Sequence, residues 1–265
     1  MKYVSAFARF CALITFSLAL ISCQKKSTYS SEGLPDPSGV LSTTTSEYSP
    51  VVMIMLPKGA GLCTGTFVSK RAVLTAAHCI LKDGKYTVVT SFGNFTTTVH
   101  PHLGDGQVED PNDIGLLVFD TDVAKDTQIY KLGDSVASGD TLRLVGFGCN
   151  NLNAKTGAGT KRTGTNVVSN ISDYVEFLTP SEYGGSSSGR GILGPDNRAA
   201  SCFGDSGGPA LKKVGDTYVI VAVTHAGGYI DSDIISEYVN VATRNDNRNF
   251  LASMNTLYNV GIEGL

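Results

Sequence analysis

Gly204-Asp205-Ser206-Gly207-Gly208-Pro209 decides how this chain is read, together with Thr75-Ala76-Ala77-His78-Cys79 upstream of it. Alone, the first stretch satisfies two patterns. Gly-x-Ser-x-Gly is also the nucleophile elbow of α/β-hydrolases, in which an acid and then a histidine follow the serine and the serine sits on a strand–turn–helix. Chain order separates the two. Here the histidine that ends an apolar run precedes the serine, and the single histidine after the serine is His225. A serine hydroxyl is a weak nucleophile near neutral pH. It needs a base to take its proton and a third group to hold that base in one tautomer. Gly-Asp-Ser-Gly-Gly by itself is commonly a surface turn, and a lone histidine is usually structural. The two motifs in this order point to chemistry.

Outward from these motifs the texture is one of short strands. Val51–Leu56, Gly65–Ser69, Ala72–Thr75, Tyr86–Phe92 and Ile114–Phe119 are rich in Val, Ile, Thr and Phe and are bounded by Gly, Asn and Asp. Thr141–Gly146, Thr165–Ile171, Tyr174–Leu178, Tyr218–Thr224 and Glu237–Ala242 form a second group. Many short strands with turns between them read as barrels or a sandwich. A break near residues 125–140 suggests two units, about 50–125 and about 135–245. After Asp246 and Asn247, the residues Phe250, Leu251, Met254, Leu257 and Tyr258 recur at helical spacing, which predicts one amphipathic helix over about 247–259. Charged residues make up 17% of the chain, hydrophobic ones 42%, and there are 30 glycines. That balance fits an exported β-rich domain and argues against disorder or a coiled coil. With a net charge of −3 and no basic patch, nucleic acid is not an expected partner.

With both motifs intact and the order His…Asp…Ser, the chain from about Pro50 to the C-terminus resembles the trypsin/chymotrypsin family of serine proteases. The resemblance implies an all-β fold of two six-stranded antiparallel Greek-key barrels with a cleft between them and a C-terminal helix, over residues 40–265. It implies hydrolysis of polypeptide substrates with no cofactor. His78 is then the base. Asp113 opens Asp113-Ile114-Gly115-Leu116-Leu117-Val118-Phe119, which resembles the family's Asp-Ile-Ala-Leu-Leu segment, and is the orienting acid. Asp105 and Asp110 nearby read as turn formers beside Gly106 and Pro111. Ser206 is the nucleophile, and the backbone N–H groups of Gly204 and Ser206 form the oxyanion hole. In the family, Asp205 pairs with an amine released when the zymogen is cut. The nearest candidate terminus here is Val40, after Gly39 rather than a basic residue. Either another protease cuts near Val40, or Asp205 has a different partner. Ala200 falls where an aspartate selects Lys or Arg, so cleavage after basic residues is not expected. The substrate pocket is assigned to Ala200, Ser201, Thr224, His225 and Ala226, with Asp196 and Asp231 on loops nearby. The family carries Ser-Trp-Gly along this strand, and His225 is placed where the tryptophan stands, at the pocket entrance; simple packing is the bland alternative. His100, His102 and His225 do not make a pattern that claims a metal.

Lys2 and Arg9 precede an apolar run from Phe10 to Ile21, too short to span a bilayer comfortably. Residues 1–22 read as a signal peptide. Leu20-Ile21-Ser22-Cys23 resembles the lipobox of bacterial lipoproteins, with Cys23 acylated; an ordinary signal with a chance cysteine is the alternative. Residues 23–39, polar and rich in Ser and Pro, read as a linker. The expected location is therefore the cell envelope, outer membrane or surface, with release by a cut near Val40. Setting aside Cys11 and Cys23, four cysteines remain, an even number that suggests two disulfides with three possible pairings. The resemblance implies Cys63–Cys79, which leaves Cys149–Cys202, a departure from the commonest family pattern. The rival to an enzyme is a catalytically silent, membrane-tethered binding module on the same fold.

Overall fold

The computed structural model describes residues 41–42, 48–107, 109–149, 156–180, 199–230 and 233–265. The expected signal peptide (1–22), linker (23–39) with Cys23, the cut site at Val40, and Asp196 and Asp231 lie outside these residues.

The first sheet comprises β2 (Val51–Met55), β3 (Leu62–Ser69), β4 (Ala72–Thr75), β5 (Tyr86–Thr90), β6 (Gly93–Thr97) and β7 (Gly115–Val118). Its six strands run in the order β6-β5-β2-β3-β4-β7. A bridge between Val99, just past β6, and Val118 on β7 brings the two edges together. In β4 and β7 the apolar run is continuous because both faces are buried. Val73 and Leu117 point into one core with Ile54, Phe67, Tyr86 and Val88. Leu74, Leu116 and Val118 point the other way, into a second core. Strand geometry sends alternate side chains to opposite faces, so a strand between two cores reads as unbroken hydrophobicity.

The second sheet holds β9 (Thr141–Gly146), β10 (Arg162–Ile171), β11 (Tyr174–Pro180), β12 (Pro209–Val214), β13 (Thr217–Ile230) and β14 (Asp233–Asn240). These follow the path β10-β11-β14-β13-β12-β9, and β9 pairs again with β10, so six antiparallel strands close on themselves. Two short strands raise the total to eight: β1 (Leu41–Ser42) beside β10, and β8 (Lys131–Leu132) parallel to β13. Its interior is filled by Leu142, Val168, Phe177, Val221 and Tyr238. A further core joins the two sheets: Leu74 and Leu116 of the first meet Val145, Leu211, Ile220, Val223 and Val239 of the second. The helix α1 (Asn245–Tyr258) docks there through Leu251, with Phe250, Met254 and Tyr258 at the margin. It ends at Asn259 in the left-handed conformation.

Four strands were not anticipated. β6 has an almost wholly exposed burial pattern and so lacks apolar alternation. β12 opens on Pro209, a residue that argues against a strand unless it stands at a strand's start, an edge or a bulge. β1 and β8 are two residues each.

Candidate active site

His78 lies in a short 3-10 turn, Ala77–Cys79, immediately after β4, with its side chain 29% exposed. The Cys63–Cys79 disulfide ties this turn back to β3. Asp113 precedes β7, which pairs with β4, so the β4–β7 ladder sets the turn and the carboxylate side by side. The backbone N–H of His78 donates to Asp113 Oδ1 at 2.7 Å, and His78 Nδ1 lies 2.7 Å from Oδ2. Asp113 is fully buried. Burial alone would raise its carboxyl, but hydrogen bonds from His225 and His78 outweigh that and hold it well below the ordinary carboxylate range. A buried carboxylate that accepts from Nδ1 forces the His78 proton onto that nitrogen and leaves Nε2 as a base. Asp105 and Asp110 form turns instead: Asp110 accepts from the N–H groups of Asp105 and Asn112, and Asp105 from that of Gln107.

The glycines around Ser206 allow its loop to press against the histidine turn. Gly207 has φ +82°, and a Cβ there would fall 2.1 Å from Thr75 Oγ1 and 2.3 Å from the Thr64 carbonyl. No larger residue fits. The Ser206 carbonyl accepts from Thr64 N–H at 2.8 Å and lies 3.7 Å from Cys79 Sγ, next to His78. Thr64 Oγ1 donates to the Gly204 carbonyl, and Thr224 grips the loop from the other barrel by accepting from Gly207 N–H and donating to Gly208. The N–H groups of Asp205, Gly207 and Gly208 are all engaged. Among the described residues no acceptor takes those of Gly204 or Ser206, and no hydrogen bond joins the Ser206 and His78 side chains. Such base–nucleophile contacts commonly tighten only when substrate is bound.

Asp205 turns its carboxylate inward. Oδ1 accepts from Gly148 N–H at 2.7 Å and Oδ2 from Cys202 N–H at 2.9 Å. Complete burial raises its carboxyl to about 6; those two bonds and the nearby Arg162 guanidinium oppose the rise. A Cβ on Gly146 or Gly148 would overlap the carboxylate, at 2.0 Å and 2.4 Å, so these glycines make its cradle. Cys149–Cys202 closes the same region. Beside it a small cleft is lined by Ala200, Ser201 and Thr224, with Arg162 and Asp205 also on its wall. Ser201 N–H donates to the buried Ser236 Oγ, and Gly227 faces Ser201 Oγ.

His225 does not stand at the pocket entrance. On β14, Tyr238 and Glu237 are consecutive partners of Thr224 and Ala226, so His225 is the extra residue of a β-bulge. The bulge turns its side chain inward, 2% exposed, with Nδ1 2.5 Å from Asp113 Oδ2. Ala226 stays in the ladder opposite Glu237.

A protein-family model described as Trypsin matches residues 41–247. The chain belongs to that family. Among curated proteins it is 25% identical over 182 residues to chymotrypsin-like elastase family member 1 of the dog, Canis lupus familiaris, covering 61% of this chain and 69% of that protein. The cat protein of the same name, from Felis catus, is 26% identical over 181 residues, covering 61% and 66%. A solved structure, the scabies mite inactivated protease paralogue S-D1, superposes with a TM-score of 0.61 at 14% identity, over 83% of this chain and 96% of that one. That likeness concerns the fold alone.

Within the family frame, sequence reading missed Thr64, Thr75 and Ser236, buried strand hydroxyls whose partners lie far along the chain. Two groupings among the described residues bring three potential metal ligands within 4.8 Å: Cys63, His78 and Cys79, and His78, Asp113 and His225. Both cysteines of the first are in a disulfide. In the second, both imidazoles already bond the carboxylate at hydrogen-bond distance. His100 and His102 belong to neither: His100 packs on Tyr86, and His102 Nδ1 bonds the Gly104 carbonyl.

Proposed function

We propose that this member of the trypsin family is a serine endopeptidase that works through an acyl-enzyme on Ser206. The observation that carries the reading is the doubly held Asp113–His78 pair abutting a loop with two unengaged N–H groups. Ser206 Oγ attacks the scissile carbonyl carbon as His78 Nε2 takes its proton. The N–H groups of Gly204 and Ser206 receive the oxyanion. Collapse breaks the C–N bond, and the amine leaves with the proton from His78. Water, deprotonated by His78, then attacks the acyl carbon and restores Ser206. Ala200, standing where an aspartate would select Lys or Arg, with Ser201 and Thr224 on the same cleft, favours a small, neutral side chain before the cut.

The sequence supports export by residues 1–22, lipid attachment at Cys23 and a flexible tether to residue 39. A cut near Val40 would free the domain from its lipid. Mass spectrometry of the mature N-terminus decides this: a diacylglyceryl group on Cys23 supports it, and an unmodified Cys23 in the membrane fraction overturns it.

The enzymatic reading is tested by labelling the purified full chain with a fluorophosphonate and mapping the adduct. An adduct on Ser206, lost in Ser206→Ala and His78→Ala, is expected. Folded protein that stays unlabelled, before and after limited cleavage near Val40, would instead favour a silent binding module.

A further inference from the structure

Asp113 Oδ2 receives two imidazoles. His78 Nδ1 reaches it at 2.7 Å from the first barrel and His225 Nδ1 at 2.5 Å from the second, with the ring centroids 6.2 Å apart. The proton transfers of the proposed reaction need only the first. The second is not a spare core histidine, because it bonds the triad carboxylate and lies beside a second acid, Glu237. Its ring lies flat on that of Tyr174, at 5.2 Å between centroids and 4° between planes. The Tyr174 phenol is pushed up to about 12, first by burial and then by Glu237, Asp110, Asp173 and Asp113. Glu237, next to the bulge on β14, is raised by burial, while His225 pulls it down and Glu176 pushes it up. The groups that face this ring are Asp113 and His78 from the first barrel, Tyr174 from β11 and Glu237 from β14, with Asp110, Asp173 and Glu176 acting in turn on Tyr174 or Glu237. Arg244 answers Asp173 and reaches Asn112. Carboxylates on both sides of a buried imidazole favour its protonated form.

We infer that His225 is a positioning residue of an alternating line Glu237–His225–Asp113–His78, in which a His225 imidazolium anchors the triad acid and takes up part of its charge. This deepens the serine-protease reading and rests on it. A cation 6.2 Å from His78 opposes protonation of His78.

Two substitutions separate charge from packing. His225→Asn keeps an N–H near Nδ1 but cannot be charged; His225→Leu fills the space with neither. The acid limb of kcat/KM should move up by roughly one to two pH units in both. The plateau kcat should stay within a few-fold for His225→Asn and fall about tenfold or more for His225→Leu. An unmoved acid limb in His225→Asn overturns the inference. The second measurement needs no turnover: 15N-imidazole NMR of the full chain between pH 5 and 8. A doubly protonated His225 ring is expected, with one downfield Nδ1 proton from His225 and another from His78, and a neutral His225 ring throughout overturns the inference. Absent Ser206 labelling would sink the protease reading while leaving the NMR result to judge His225 alone.

Discussion

Asp205→Asn should abolish a pH-dependent loss of stability that the wild-type chain shows between about pH 4 and pH 7. In the folded protein the Asp205 carboxyl titrates at about 6, because it is enclosed between Gly146 and Gly148. In the unfolded chain a carboxyl titrates at about 3.9. Between those values the folded form holds a proton that the unfolded form has released, so raising the pH favours unfolding. The contribution is fully present below about pH 4 and is lost as pH rises through about 6. A difference of about two units at 1.36 kcal/mol each makes the loss about 3 kcal/mol. Asn cannot ionise. It also satisfies only one of the N–H groups of Gly148 and Cys202, so the variant is uniformly weaker by about 1–3 kcal/mol, and the slope rather than the offset is diagnostic. Asp113 has the opposite sign: its carboxyl is held low, so its contribution is lost only as pH falls below about 4, outside the window and common to both proteins. Guanidinium unfolding at pH 4, 5, 6 and 7 measures the slope. Curves that run parallel would show Asp205 ionised at no cost, hence matched by a cation such as a released amine, and would refute the argument from burial.

Three further outcomes follow from the geometry. Gly204→Ala places a Cβ 2.8 Å from Leu62 Cδ1 at a residue with φ +100°; it should lower kcat by about 10²–10³ through the misplaced N–H, and steady-state hydrolysis within threefold of wild type would remove Gly204 from the oxyanion role. Cys63→Ser with Cys79→Ser opens a loop with a sequence separation of 16 and should cost about 3 kcal/mol in urea unfolding; an unchanged midpoint would mean that the β3–His78 turn is held by packing alone. Ala200→Asp introduces a carboxylate at the position that would select a basic side chain and should redirect cleavage toward Lys or Arg in a peptide-library digest, whereas an unaltered profile would place the specificity pocket elsewhere.

The sequence by itself determined the family and most of the framework. The two motifs and their order single out His78 and Ser206 as the proposed base and nucleophile, because the residue types around them are dictated locally: glycine where a Cβ would strike Thr75 and Thr64, cysteine beside the histidine turn. The central strands were legible because burial on two faces writes itself as continuous hydrophobicity in Ala72–Thr75 and Ile114–Phe119. Whatever depends on strand pairing was not. The motif alignment set His225 at the pocket entrance, but the pairing of β13 with β14 contains a bulge that turns it onto Asp113, and a register shift leaves no mark in composition. The partners of Asp205, the Gly148 and Cys202 N–H groups, come from loops that meet only when the second barrel closes through β9 and β10. Local residue preferences fixed the candidate groups; the closure of the two barrels decided which of them touch.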